Sequence, residues 1–116
     1  MATIVVMDDD ESIRSALARF LQNEGYEVLA FNDAQPALET VDFEQMDLVV
    51  TDLQMPTPGE DAIRAIRSRG IQIPIVVISG LIDNKKVKEL MALGAQKILK
   101  KPLDILKFLE VIRTLV

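Results

Sequence analysis

Short apolar runs alternate with amphipathic stretches along the whole chain, and this alternation constrains the fold more than any other feature. Ile4 to Met7, Leu48 to Thr51 and Ile75 to Ile78 are near-continuous runs rich in Val and Ile. Strands covered by helices on both faces have this character, whereas strands with one wet face alternate apolar and polar residues. Val28 to Phe31 and Ile98 to Leu99 are shorter and flanked by charge, as edge strands are.

Helical patterns fill the intervals. Ile13, Ala16, Leu17, Phe20 and Leu21 follow the i, i+3, i+4, i+7, i+8 spacing of one buried face, and Gly25 suits the left-handed turn beyond a helix end. Asp33 is placed to cap a second helix through Ala37, Leu38 and Val41. A third carries Ala62, Ile63 and Ile66 and ends before Gly70. A fourth, capped by Asp83 or Asn84, is expected to bury Val87, Leu90 and Met91 and to end at Gly94. The last aligns Ile105, Phe108, Leu109, Ile112 and Val116.

Five strands alternating with five helices predict an α/β fold with parallel strands and right-handed crossovers. Of the two common doubly wound orders, 2-1-3-4-5 is the natural one for five strands. It puts the switch point, where ligands bind beyond the strand ends, between the first and third strands. No linker, repeat or low-complexity stretch interrupts the pattern, so residues 1–116 are expected to form one domain.

Composition removes several kinds of chemistry. Without cysteine there is no disulfide framework and no zinc–thiolate site, and without histidine the usual neutral-pH base is missing. No apolar run approaches the roughly 18 residues of a membrane span, and Met1-Ala2-Thr3 leads into the first strand without a basic segment, so a cytoplasmic protein is expected. The net charge of −5 hides an asymmetry: residues 1–83 hold 15 acids against 5 bases, residues 84–116 hold 3 against 8. Overall acidity argues against direct nucleic-acid binding. The basic third suits either an acidic partner surface or an ordinary solvated face.

The chemistry lies at the expected strand ends. Asp8-Asp9-Asp10-Glu11 follows the first strand and Asp52 the third, so carboxylates converge where those neighbours end. Crowded carboxylates raise one another's pKa values unless a cation is present. A Mg²⁺ ion with oxygen ligands relieves this, with Asp9 and Asp52 read as direct ligands and Asp8 as acting through water. Lys101 after the fifth strand brings a positive charge, and Ser79 after the fourth a hydroxyl that can donate to a phosphoryl oxygen. Singly, each has an ordinary reading as a helix cap, turn acid or loop residue. Their joint placement at four strand ends is what points to function.

These residues resemble the receiver domains of bacterial response regulators, whose flavodoxin-like fold has the same strand order. The resemblance runs from Ile4 to the C-terminus and rests on Val6-Met7-Asp8-Asp9-Asp10-Glu11-Ser12-Ile13-Arg14, Asp52-Leu53-Gln54-Met55-Pro56, Ile78-Ser79-Gly80 and Lys101-Pro102. It implies that Asp52 is the phosphoacceptor, that Asp8 and Asp9 hold Mg²⁺, and that the Gln54 backbone carbonyl is a further ligand. Ser79 takes the place of the switch hydroxyl and Lys101 that of the phosphoryl-contacting lysine, with a cis peptide before Pro102. The implied partners are a sensor histidine kinase or phosphotransfer protein and a downstream protein target or output domain. The implied output surface is the fourth helix, fifth strand and fifth helix, which is the basic third.

Two positions depart from the family pattern. Many receivers carry an aromatic residue three positions before the lysine; here it is Ile98, which has no ring to swing. The stretch Met55-Pro56-Thr57-Pro58-Gly59 reaches its glycine one residue early, and Pro58 stiffens it. Leu106 and Val111, off the main face of the last helix, suggest a docking surface.

Rival readings fit less well. An aspartyl-phosphate hydrolase would place a second carboxylate where this chain has Gln54, which exchanges no proton at neutral pH. The chain is therefore expected to turn over no external substrate, beyond self-phosphorylation and slow self-dephosphorylation. A flavin or nucleotide carrier would cradle phosphate with glycine or hydroxyl groups where Asp8, Asp9 and Asp10 stand. The remaining alternative is a receiver-fold interaction module that signals without phosphorylation, motivated by Ile98 and the short loop.

Overall fold

Backbone amides in a sheet covered on both faces must pair with neighbouring strands, because water does not reach them. The computed structural model, which describes residues Met1–Val116, resolves this as a five-stranded parallel sheet in the order β2-β1-β3-β4-β5. The strands are β1 (Thr3–Met7), β2 (Glu27–Phe31), β3 (Leu48–Asp52), β4 (Ile75–Ser79) and β5 (Lys97–Lys100). Each connection carries a helix: α1 (Glu11–Asn23), α2 (Ala34–Thr40), α3 (Gly59–Ser68) and α4 (Asn84–Leu93), with α5 (Ile105–Leu115) after the last strand. The expected class, order and edge strands are all present.

The three central strands feed two cores by parity. Val5, Met7, Val49, Ile75 and Val77 point into one cluster with Ala37 of α2, Ile63 and Ile66 of α3, and Leu90 of α4. Ile4, Val6, Leu48, Val50, Val76 and Ile78 point into the other with Leu17 and Leu21 of α1 and Phe108 and Ile112 of α5. Consecutive residues thus serve opposite faces, which is why the runs show no polar alternation.

Helix ends follow local chemistry. Asp10, Asp33, Asp83 and Asp104 cap α1, α2, α4 and α5 by accepting first-turn N–H groups. Beyond α1, α3 and α4, Gly25, Gly70 and Gly94 take positive φ.

Several facing assignments need correction. In α1 the buried stripe is Leu17 and Leu21 with Ile13 half-buried, while Ala16 and Phe20 face solvent. In α4 Leu90 is buried, Val87 is half-buried and Met91 is exposed. In α5 Leu115, not Val116, completes the stripe. A helix lying on a twisted sheet buries a narrow band, so the flank of a five-residue apolar pattern is left in water. A short 3₁₀ turn, Phe43–Gln45, buries Phe43 before β3 and has no periodicity by which the sequence could announce it. No helix is long and apolar enough to cross a membrane.

Candidate functional site

β1 and β3 run parallel, with Met7 opposite Thr51, so the residues just past Met7 and at the end of β3 share one rim of the sheet. Asp8 follows β1, its N–H donating to the Phe31 carbonyl at 3.1 Å. β3 extends one residue past the apolar run, so Asp52 is its last residue rather than the first after it, and it lies beside Ile78 of β4. Ser79 likewise closes β4, opposite Lys100 of β5. The Lys101 N–H donates to the Ser79 carbonyl at 2.9 Å, which fixes where the lysine leaves the sheet.

Three of these polar side chains are withdrawn from water at the centre of the rim: Asp8, Asp52 and Ser79 are 1%, 6% and 1% exposed. Lys101 reaches in over them, its Nζ donating to Asp8 Oδ2 at 3.3 Å and to Asp52 Oδ2 at 3.2 Å. Asp9 remains exposed, yet the carboxylate oxygens of Asp8, Asp9 and Asp52 lie within 4.8 Å of one another. Three carboxylates and one ammonium leave a surplus of two negative charges in a small volume, and hard oxygen donors so arranged fit a Mg²⁺ ion. Asp9, Asp52 and Asp8 would hold it.

The remaining hydrogen bonds hold the acids in place. Asp8 Oδ1 accepts the Asp10 N–H at 2.9 Å, and Asp52 Oδ1 accepts the Leu53 N–H at 2.7 Å. Burial, reinforced by the Asp52 charge, pushes the Asp8 carboxyl above the usual aspartate range, although the Asp10 N–H and Lys101 pull against it. Burial alone would lower the Lys101 ammonium, but the charges of Asp8 and Asp52 prevail and raise it above the ordinary lysine value. The lysine therefore keeps its proton, whereas Asp8 gives up its own less readily than an ordinary aspartate.

Gln54 lies on the loop after β3 with its side chain exposed, between buried Leu53 and Met55. Its backbone carbonyl accepts no hydrogen bond from the protein, so it remains available as an oxygen ligand. Ser79 Oγ accepts the Leu81 N–H at 3.3 Å and donates to no protein acceptor. Beside it opens a cavity of about 450 Å³ whose lining includes Gln54, Pro58, Glu60, Ser79, Leu81 and Lys86. The Lys101–Pro102 peptide is cis, as the motif implied. Ile98 is half-buried against the cluster beneath α2, α3 and α4. The early glycine, Gly59, opens α3 directly after Pro58, and no side chain caps that helix.

Sequence reasoning passed over three supporting arrangements. Arg14, one turn into α1, donates to the Asp8 carbonyl at 2.9 Å. Thr57 gives both its N–H and its hydroxyl to Asp33, at 2.7 and 2.8 Å. Lys86 of α4 pairs with Glu60 of α3 at 2.6 Å. Only the first joins near neighbours, Arg14 and Asp8 being six residues apart. The others join residues distant in sequence.

Comparison with known proteins agrees with this geometry. The family model described as the response regulator receiver domain matches residues 4–113. Response regulator RR06 of Streptococcus pneumoniae is 33% identical over 97% of this chain and 52% of its own length. Response regulator MprA of Mycobacterium leprae is 37% identical over 97% of this chain and 50% of its own. The chain thus spans about half the length of these curated relatives. A structure of the Vibrio cholerae chemotaxis protein CheY4 superposes with a TM-score of 0.92 at 28% identity, covering 100% of this chain and 99% of that one. A family match over nearly the whole chain, on a sheet whose acidic rim carries the family's residues, places it among the receiver domains of two-component response regulators.

Proposed function

We propose that this receiver domain is a signalling switch that accepts a phosphoryl group on Asp52 in a Mg²⁺-dependent reaction. The observation that carries the reading is the bridging of Asp8 and Asp52 by Lys101 at the carboxylate cluster. A carboxylate oxygen of Asp52 attacks the phosphorus of a phosphohistidine on a sensor histidine kinase or phosphotransfer protein. The P–N bond breaks, and the imidazole nitrogen leaves with its electron pair. A Mg²⁺ ion bound at the cluster would neutralise charge on the transferring oxygens. Asp8, Asp9, Asp52 and the Gln54 carbonyl are the ligands assigned to it.

Lys101 is already positioned over Asp52 and needs only a short swing to meet a phosphoryl oxygen. Ser79, free to donate, supplies a second contact and moves with its loop toward the new charge. That movement biases the face formed by α4, β5 and α5, on whose elements Lys85, Lys88, Lys97, Lys100, Lys107 and Leu106 are exposed. Such a face suits an acidic protein partner or an output domain rather than nucleic acid, in a cytoplasmic setting. No external substrate is turned over, since Gln54 stands where a hydrolase would need an acid.

Intact mass after incubation with acetyl phosphate, with and without Mg²⁺ and beside Asp52→Asn, tests this. A single metal-dependent phosphoryl adduct that disappears in the variant is expected. No adduct from either acetyl phosphate or a cognate kinase would overturn it and favour the phosphorylation-independent module, to which the ringless Ile98 already lends some support.

A further inference from the structure

The loop between β3 and α3 carries Gln54 and is short enough to close on itself. The Gly59 N–H donates to the Leu53 carbonyl at 3.0 Å, and a Cβ on Gly59 would lie 2.2 Å from the Asp52 carbonyl oxygen. The near limb is pinned by burial of Leu53 and Met55. The far limb is held less by burial: Pro56 and Pro58 are exposed and neither has an N–H, although Gly59 is buried and the Pro58 carbonyl accepts the Asp61 N–H at 3.0 Å. Between the two prolines Thr57 holds the one backbone donor, and it points away from the loop to Asp33 Oδ1 at 2.7 Å. The Thr57 hydroxyl donates to Asp33 Oδ2 at 2.8 Å, so both oxygens of one carboxylate are engaged by one residue.

Asp33 is itself held, since it caps α2 and accepts the Gln35 N–H at 3.4 Å. Burial would raise its carboxyl, but the two Thr57 hydrogen bonds, together with the Ala34 and Gln35 N–H groups, outweigh that and hold it below the usual range. The clamp therefore runs from the start of one helix to a loop 24 residues away, and it stands where the family pattern would have one more residue.

We propose that Thr57 and Asp33 are positioning residues for the metal site: their paired hydrogen bonds fix the far limb of the loop and with it the direction of the Gln54 carbonyl. This rests on the phosphoryl-acceptor reading above. Groups that orient a metal ligand typically change metal affinity by about 10–100-fold when removed. The Thr57 hydroxyl is one of two bonds in the clamp, so its loss belongs at the lower end of that range.

The test is a Mg²⁺ titration of the intact chain followed by backbone amide shifts, with urea unfolding of each protein in parallel. Thr57→Val keeps shape and backbone N–H but removes the hydroxyl, and Thr57→Ser restores it. The expected result is a Mg²⁺ dissociation constant raised about tenfold in Thr57→Val and returned to within about twofold in Thr57→Ser. Equal Mg²⁺ affinity in wild type and Thr57→Val, with the Val variant folded, would overturn the clamp and leave the phosphoryl-acceptor reading intact. Weakened binding that Thr57→Ser does not restore would also overturn it. A wild type in which Mg²⁺ moves no amide near Asp8, Asp9, Asp52 or Gln54 would instead remove the metal site, and the clamp with it.

Discussion

The rim of the sheet has two halves that are built differently. At the ends of β1 and β3 nearly every group is held twice: Asp8 by the Asp10 N–H and Lys101, Asp52 by the Leu53 N–H and Lys101, and the following loop by Gly59 and Asp33. At the end of β4, Ser79 has one hydrogen bond to its side chain, a 3.3 Å contact from Leu81, and Leu81 itself is 70% exposed. Chemistry needs acids that do not move when charge arrives, because reorganisation at the moment of reaction raises the barrier. A switch needs the opposite, a segment with few buried contacts that a new charge can displace. In the proposed reading β1 and β3 supply the fixed half, and the end of β4, with fewer ties, would supply the movable one.

Lys101 spans this division, and its removal has the largest expected effect after loss of Asp52 itself. Lys101→Ala leaves Asp8 and Asp52 facing each other without a cation. Phosphoryl transfer from acetyl phosphate, followed by intact mass over time, is expected to slow by about 100-fold or more. Ser79→Ala should slow the same reaction much less, while confining the amide shifts caused by phosphorylation to the fixed half. Equal slowing in the two variants would mean that Ser79 belongs to the fixed machinery and that the division is wrong.

Two glycines offer a sharper comparison, because each stands next to the site on a different half. A Cβ on Gly59 would meet the Asp52 carbonyl oxygen at 2.2 Å and the Leu53 Cα at 3.0 Å, both backbone atoms that cannot step aside. At Gly80 the nearest atom to a new Cβ is Lys101 Cβ at 4.0 Å, an ordinary contact. Gly59→Ala is therefore expected to destabilise by about 1–3 kcal/mol in urea unfolding. Gly80→Ala should stay within about 0.5 kcal/mol of wild type. Comparable losses at both positions would show the β4 loop to be as tightly built as the β3 loop.

The same division governs how much of the molecule was legible in its sequence. Central strands, their order and the gathering of Asp8, Asp9, Asp52, Ser79 and Lys101 followed from runs of Val and Ile with acids at their ends, since strand parity and parallel register leave few alternatives. Facing was less legible: Phe20, Met91 and Val116 fit an apolar pattern yet lie in water, because the pattern cannot say how wide a band the sheet covers. The ties between elements, Asp33 to Thr57 within the fixed half and Glu60 to Lys86 across to α4, join residues 24 and 26 positions apart. No local spacing encodes such pairs. They exist only once α2, α3 and α4 have been laid side by side.

The Glu60–Lys86 pair is the tie that crosses from one half to the other. Glu60 lies in the first turn of α3 and Lys86 in the first turn of α4, at the site end of both helices. At the far end Arg67 of α3 donates to the Gly94 carbonyl at 2.7 Å. Burial would raise Glu60, but Lys86 holds its carboxyl below the usual glutamate range, and Glu60 in turn lifts Lys86 above the ordinary lysine range. The contribution of the lowered acid is complete above the unfolded value of 4.5 and disappears as pH falls through the folded one. That of the raised base is complete below 10.5 and disappears as pH rises through its folded value. Glu60→Gln is thus expected to lower stability by about 0.5 kcal/mol at neutral pH, the pair being partly exposed. Calorimetry should show a Tm about 2–3 °C lower. Some of that loss belongs to the acid at the N-terminus of α3, where a negative charge is favourable in itself. A double-mutant cycle with Lys86→Gln isolates the pair, and its coupling should vanish in acid as Glu60 is protonated. Coupling that persisted there would mean that neutral hydrogen bonding, not charge, joins the two halves, and that α4 is held in place at every pH.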